Sequence, residues 1–233
     1  MKTYLLEILT ALTMTFTVSG QVLVDEQFTR SGTGPLNGSH PSGGTLAEGI
    51  TWNPGQLDTR DWVISDAKAG TLTAVGAGSP GAIVWLPVTF SAGARYELTA
   101  RLTNTAADWM GLGFGTFDTG WGMDGPWMIV RPNGNYSCIS KVTADGATKT
   151  GATPTVNSST ANTLRLTLDT TGPNWALTYY INDLTTALAN YTLTAYQQAN
   201  LHTVFLAVYS NSAATVVCDW FKLEQIRVQK AQP

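Results

Sequence analysis

The chain has 233 residues and a formal net charge of −3; 12% of its residues are charged, 43% are hydrophobic, and 8 Trp, 8 Tyr and 7 Phe are among them. Its 13 Lys and Arg are scattered and form no basic cluster, so neither nucleic acid nor an anionic membrane surface is an expected partner. Disorder is excluded by the ample aromatic and aliphatic surface available for burial, and a weakly charged, aromatic-rich surface suits a neutral ligand.

The first residues read as an export signal. Lys2 precedes an apolar run through Leu5, Leu6, Ile8, Leu9, Leu12, Met14, Phe16 and Val18. The small residues Val18-Ser19-Gly20 then form a cleavage site that releases Gln21. Glu7 interrupts the run, which leaves a retained N-terminal helix as the other reading. The run is short and Thr-rich for a membrane span, and no apolar anchor follows in the residues from Arg227 to Pro233. The expected organisation is a signal over residues 1–20 and one β-sandwich domain over residues 21–233, secreted to the periplasm or beyond with no span in the mature chain.

Strand-like segments follow at residues 23–28, 62–65, 71–74, 82–86, 96–103, 110–117, 127–131, 136–142, 163–169, 176–182, 191–194, 203–209 and 215–226. Asn133-Gly134, Asp145-Gly146, Thr171-Gly172-Pro173 and Ser79-Pro80-Gly81 punctuate them as turns. No stretch sustains a 3.6-residue apolar period; a single helical turn is expected near residues 196–201. Short, closely spaced strands with little helix predict an all-β, two-sheet antiparallel sandwich. The Gly- and Pro-rich stretch over residues 31–54 reads as an arm tacked onto the sandwich by Leu36, Leu46, Ile50 and Trp52. Within 163–169, Leu164, Leu166 and Leu168 face one way and Thr163, Arg165 and Thr167 the other. Within 203–209 both faces are apolar or aromatic, so that strand is either covered on both sides or presents Phe205, Ala207 and Tyr209 to a ligand. Cys138 and Cys218, both on strand segments, either form a disulfide or stay as two buried thiols.

The densest feature runs from Asp108 to Trp127. Gly111, Gly113 and Gly115 alternate and lie on one face of a strand, with Met110, Leu112 and Phe114 on the other. Three glycines on one face require either close packing beneath a large aromatic or a trough where a ligand meets backbone. Trp109, Trp121 and Trp127 offer stacking surfaces for the flat C–H faces of a sugar. Asp118, Asp124 and Arg131 offer partners for its hydroxyls. The candidate ligand-binding residues are therefore Trp109, Gly111, Gly113, Gly115, Trp121, Asp124 and Arg131, with Trp127 expected in the core and Trp121 exposed on its Gly-rich loop. Asp118 and Asp124 flank that loop, which reads either as a plain turn or as a site for calcium.

The stretch DWMGLGFGTFDTGWGMDGPWMIVRPNGNYS, the opening LVDEQFTRSGTGPLNGSHP and the pair NTLRLTLDTTGPNWALTYYIND resemble bacterial secreted proteins with a concanavalin A-like lectin/glucanase (laminin-G-like) jelly-roll domain. The resemblance spans residues 23–228 and implies a jelly-roll sandwich; it assigns no catalytic residues. That fold serves both lectins and glycan-degrading enzymes. Its glucanases carry Glu-x-Asp-x-x-Glu on one strand, and this motif does not occur here: the glutamates after the signal are Glu26, Glu48, Glu97 and Glu224, each isolated. Glu97, in a strand, is the one candidate acid, with a solvated strand residue as the other reading. His40 and His202 lack metal-ligand spacing. Three functions follow: a secreted carbohydrate-binding or adhesion module, which the sequence favours, a glycoside hydrolase or lyase of the same fold, and a structural matrix or filament subunit.

Overall fold

The computed structural model describes residues 19–30, 32–55, 62–65, 68–72, 81–116, 125–140, 147–210 and 214–227. The first strands are β1 (Ser19–Glu26), β2 (Gly34–Pro35), β3 (Asn53–Pro54), β4 (Val63–Ser65), β5 (Lys68–Leu72), β6 (Gly81–Pro87), β7 (Ala94–Asn104) and β8 (Trp109–Gly115). There follow β9 (Trp127–Val130), β10 (Tyr136–Ile139), β11 (Thr148–Lys149), β12 (Asn162–Asp169), β13 (Ala176–Ile181) and β14 (Ala189–Thr192). Helix α1 (Ala195–Asn200), β15 (Thr203–Tyr209) and β16 (Ala214–Arg227) complete the order.

Every strand pair is antiparallel. One sheet has ten strands in the order β11-β14-β13-β12-β7-β16-β5-β4-β2, with β1 also on β16; the other has six, β10-β9-β8-β15-β6-β3. The fold is thus the expected two-sheet antiparallel jelly-roll sandwich. Strand β16, 14 residues long, serves two partners along one edge: its residues 214–218 pair with β5 and residues 221–227 with β1.

Alternation builds the core. On β7 the inward positions Ala94, Tyr96, Leu98, Ala100 and Leu102 are all buried, and Leu164, Leu166 and Leu168 of β12 lie beside them. The facing sheet contributes Met110, Leu112 and Phe114 of β8 and Val204, Leu206 and Val208 of β15. Each such side chain stabilises the sandwich by about 1.5–3 kcal/mol on burial. Three buried polar side chains span the two layers: Asn104 Nδ2 donates to the Val130 carbonyl at 3.2 Å, Tyr179 Oη to Ile139 at 2.8 Å and Trp62 Nε1 to Ala82 at 3.2 Å. Because these donors sit in a low-dielectric layer, each would cost about 1–3 kcal/mol if left unpaired.

Each expected segment overlaps a strand, several with shifted ends; residues 73–74, 117 and 141–142 of those segments lie outside the described residues. Missed were β2, β3 and β11, two-residue strands too short for alternation to register. The expected helical turn is α1, closed by a capping box in which Thr194 and Gln197 exchange hydrogen bonds with each other's backbone N–H. The arm is tacked down as its apolar residues imply: Leu36 and Trp52 are fully buried, with Leu46 and Ile50 packed against the same core. What the sequence left invisible is the polar anchor beneath the arm. Glu26, at the end of β1, is fully buried. Its carboxylate accepts from the Phe28 N–H at 2.8 Å, Trp52 Nε1 at 3.1 Å, Arg30 Nη2 at 2.6 Å and the Ser42 hydroxyl.

Of the two readings of the cysteines, the structure adopts the unbridged one. Cys138 lies on β10 of the six-stranded sheet and Cys218 on β16 of the other; both are buried and no disulfide joins them. Burial pushes the Cys218 thiol well above the usual thiol range, with the carboxylates of Asp219 and Glu26 adding to the effect.

Candidate functional site

The six-stranded sheet turns one face to the core and the other outward, and the outward face carries its own apolar cluster. Cross-strand register arranges it in rows. One row reads Trp85, Phe205, Gly113, Trp127, Ile139 across β6, β15, β8, β9 and β10. The next reads Ile83, Ala207, Gly111, Ile129, Ser137. At the end of the face Tyr209 pairs with Trp109.

This arrangement explains the alternating glycines. A Cβ on Gly113 would lie 2.3 Å from Cβ of Trp127 and 2.8 Å from the ring tip of Phe205, and one on Gly111 would lie 2.0 Å from the Met128 carbonyl oxygen. Both glycines are therefore places where neighbours close over the strand. The trough reading is corrected for Gly111 and Gly113: the space above them is already filled. Gly115 is buried as well, opposite Thr203, whose hydroxyl donates to its carbonyl at 2.8 Å.

Over this glycine column the rings form a continuous row. Tyr209 and Trp109 are nearly parallel, with centroids 5.6 Å apart and planes at 15°. Trp109 meets Trp127 edge-on at 5.0 Å, and Trp127 tilts against Phe205 at 6.1 Å. Trp127 is buried, as expected, yet in this outer cluster and not between the sheets. Its indole Nε1 has no hydrogen-bond acceptor among the described residues. Trp109, Tyr209 and Trp85 are only partly buried, and Trp85 is held by its Nε1 donating to the Pro54 carbonyl at 3.0 Å.

Arg131 directly follows Val130, whose partner across the ladder is Met110. Arg131 and Trp109 thus occupy adjacent positions at the same end of the face. The guanidinium is steadied by Nη1 donating to Ser137 Oγ at 3.1 Å. The β8–β9 connection that leaves this sheet carries Asp118, Trp121 and Asp124, which lie outside the described residues.

The structure therefore brings Trp109, Trp127 and Arg131 together and assigns the glycines to support. Sequence reasoning did not single out Trp85; its alternation with Val84 and Leu86 was the available signal. Tyr209 and Phe205 were legible as the second face of an apolar strand. Glu97, the one candidate acid, lies on the ten-stranded sheet instead, in ion pairs with Arg95 at 3.9 Å and Arg165 at 3.6 Å. His40 and His202 each bond a backbone carbonyl through Nδ1, Ile50 at 2.8 Å and Asn200 at 2.6 Å.

No protein-family model matches the sequence, and no curated protein is detectably similar to it. Solved structures are similar in fold. An endo-acting O-glycanase with which members of the human gut microbiota initiate mucin breakdown superposes with a TM-score of 0.56 and 10% identity, over 89% of this chain and 100% of that one. The carbohydrate recognition domain of Emp46p superposes with a TM-score of 0.50 and 11% identity, over 86% of this chain and 98% of that one. The fold is the concanavalin A-like jelly roll.

Proposed function

We propose that this protein is a secreted carbohydrate-binding module whose ligand lies on the outer face of the six-stranded sheet, at the end formed by Tyr209, Trp109 and Arg131. The observation that carries this reading is the parallel Tyr209–Trp109 pair, partly exposed, beside the Arg131 guanidinium. A pyranose offers apolar C–H faces to the rings and hydroxyls to the polar groups, so one platform holds both sides of its chemistry. The β8–β9 loop with Trp121, Asp118 and Asp124 belongs to the same proposal as an adjoining wall, with calcium as its candidate ion.

Binding is favoured over cleavage because the described groups of this face are stacking rings and hydrogen-bond donors. Cleavage would require two carboxyl groups about 5–9 Å apart. Likeness to a glycanase and to a recognition domain supports the fold for either role and does not choose between them. Secretion rests on the N-terminal segment. Ser19 and Gly20 pair with Arg227 and Ile226 in β1, so release at Gln21 would shorten that ladder by two pairs; mass spectrometry of the exported product should find its first residue near Gln21, and a product retaining Lys2 would contradict the signal. A glycan array probed with the wild-type protein and with Trp109→Ala tests the ligand. We expect a glycan class retained by the former and lost by the latter. A protein that captures no glycan, or captures one equally well without Trp109, would overturn the proposal.

A further inference from the structure

A second site lies at the opposite side of the core, where the two sheets part. Midway along β1, β16 and β7 the inner faces are apolar, with Val24, Leu223 and Leu98 in one row. Toward one end of these strands the register aligns Gln21 with Gln225 and Gln225 with Tyr96, and sets Arg227 one step further on. Inner-face positions of a sandwich are filled by apolar side chains when the sheets close on each other. A row of two amides and a phenol, ending in a guanidinium, marks a place where they do not. Facing that row are Pro87 at the end of β6 and Val88 and Thr89 just beyond it, with Ser91 and His202, while Leu46 and Ile50 of the arm form a third wall. The result is a groove of about 620 Å³, within the size range of small-molecule sites.

Its polar groups have unused capacity of a consistent kind. Tyr96 is 1% exposed, and its Oη accepts from the Ser91 N–H at 2.8 Å and from Gln225 Nε2 at 3.1 Å. Both lone pairs of the phenol are thereby occupied. Its own O–H still points to an acceptor that the described residues do not supply. The Arg227 side chain makes no hydrogen bond or ion pair among the described residues, and none of the described residues that line the groove is Asp or Glu. His202 Nδ1 faces the Asn200 carbonyl at 2.6 Å, which can only accept, so the ring proton sits on Nδ1 and Nε2 remains available. The apolar side is supplied by Leu23, Leu46, Ile50, Pro87 and Val88.

We propose that this groove binds an acidic sugar, a uronic acid or its short oligomer, with the carboxylate on Arg227, the ring hydroxyls on Gln225, Tyr96 and Gln21, and the C–H face against Leu46, Ile50 and Val88. Charge selects the acid: one guanidinium with no carboxylate among the described residues of the groove favours a monoanion. The amide row selects a hydroxylated ring over an aliphatic chain: Gln225 Nε2 donates to Tyr96 Oη and Gln21 Nε2 to Thr45 Oγ1, and a purely apolar ligand would desolvate the remaining capacity of both amides without pairing it. The site is independent of the aromatic face.

The test is titration of the isotopically labelled protein with sodium glucuronate, following the Gln225 side-chain amide by NMR, with glucose and sodium hexanoate as parallel probes. Glucuronate should move that resonance saturably, and Arg227→Gln, a change at an exposed position, should weaken the response about tenfold or more. Trp109→Ala should leave it unchanged. An amide that ignores glucuronate, responds equally to glucose, or responds to hexanoate instead would overturn the assignment. So would an Arg227→Gln protein with undiminished affinity.

Discussion

The outer faces of the two sheets are built by the same pleat and alternation, yet they carry opposite chemistry. On the ten-stranded sheet the outward positions of β7, β12 and β16 include Arg95, Glu97, Arg101, Arg165, Lys222 and Glu224. They are joined by ion pairs such as Arg101–Asp219 at 3.2 Å and Lys222–Glu224 at 2.9 Å, and Arg165 lies over the Tyr180 ring at 4.3 Å. On the six-stranded sheet the outward positions are Trp85, Trp109, Trp127, Ile129, Phe205 and Tyr209. A protein with only 12% charged residues has concentrated many of them on one face. The other face carries a second apolar cluster, in which Trp127, Ile129 and Phe205 are buried and Trp85, Trp109 and Tyr209 are partly exposed. The difference teaches that the same pleat can carry a charged lattice on one outer face and a second, packed apolar cluster on the other.

That contrast can be broken or sharpened by substitution. The largest expected effect is for Trp127→Ala, which removes the ring that roofs Gly113 and should cost about 3–5 kcal/mol in denaturant unfolding. A cost near zero would mean that the outer cluster is mere surface. Gly111→Ala should follow, since its Cβ would meet the Met128 carbonyl oxygen at 2.0 Å; the strands must separate, at about 1–3 kcal/mol or more. Trp109→Ala should separate stability from function: a small shift in melting temperature, with glycan affinity falling roughly tenfold, as loss of about 1.4 kcal/mol of stacking predicts. The smallest effect belongs to the charged face. Glu97→Gln breaks two ion pairs on a partly solvated sheet surface and should change stability by about 0–1 kcal/mol, less at high salt. A larger loss there, measured by the same unfolding curves, would erase the distinction between the faces.

Much of the fold was legible because it is written in period-2 alternation, as in Leu164, Leu166 and Leu168 against Thr163, Arg165 and Thr167. Strand β15, apolar on both faces, already announced that one sheet is apolar on both sides. The glycines of β8 were legible as a special position but not as to which: a trough and a close approach leave the same residues, and only the lean of Trp127 and Phe205 decides. Tyr209 and Trp109 are 100 positions apart in the chain and meet only through the β15–β8 register, which no local pattern encodes. Glu26 was invisible for a related reason. An isolated glutamate reads as solvated until four donors from residues 28–52 converge on it.

Strand β16 carries a consequence for how the molecule comes to exist. It lies between β7 on one side and β1 and β5 on the other. Before it is in place, the ten-stranded sheet is three pieces: β11-β14-β13-β12-β7, β5-β4-β2, and β1 alone. Joining them closes a loop of about 200 residues, and contacts so remote in sequence make assembly slow. The ten-stranded sheet is therefore joined only once residues 214–227 have been made, although β7, β12, β13, β14 and β11 can pair before that.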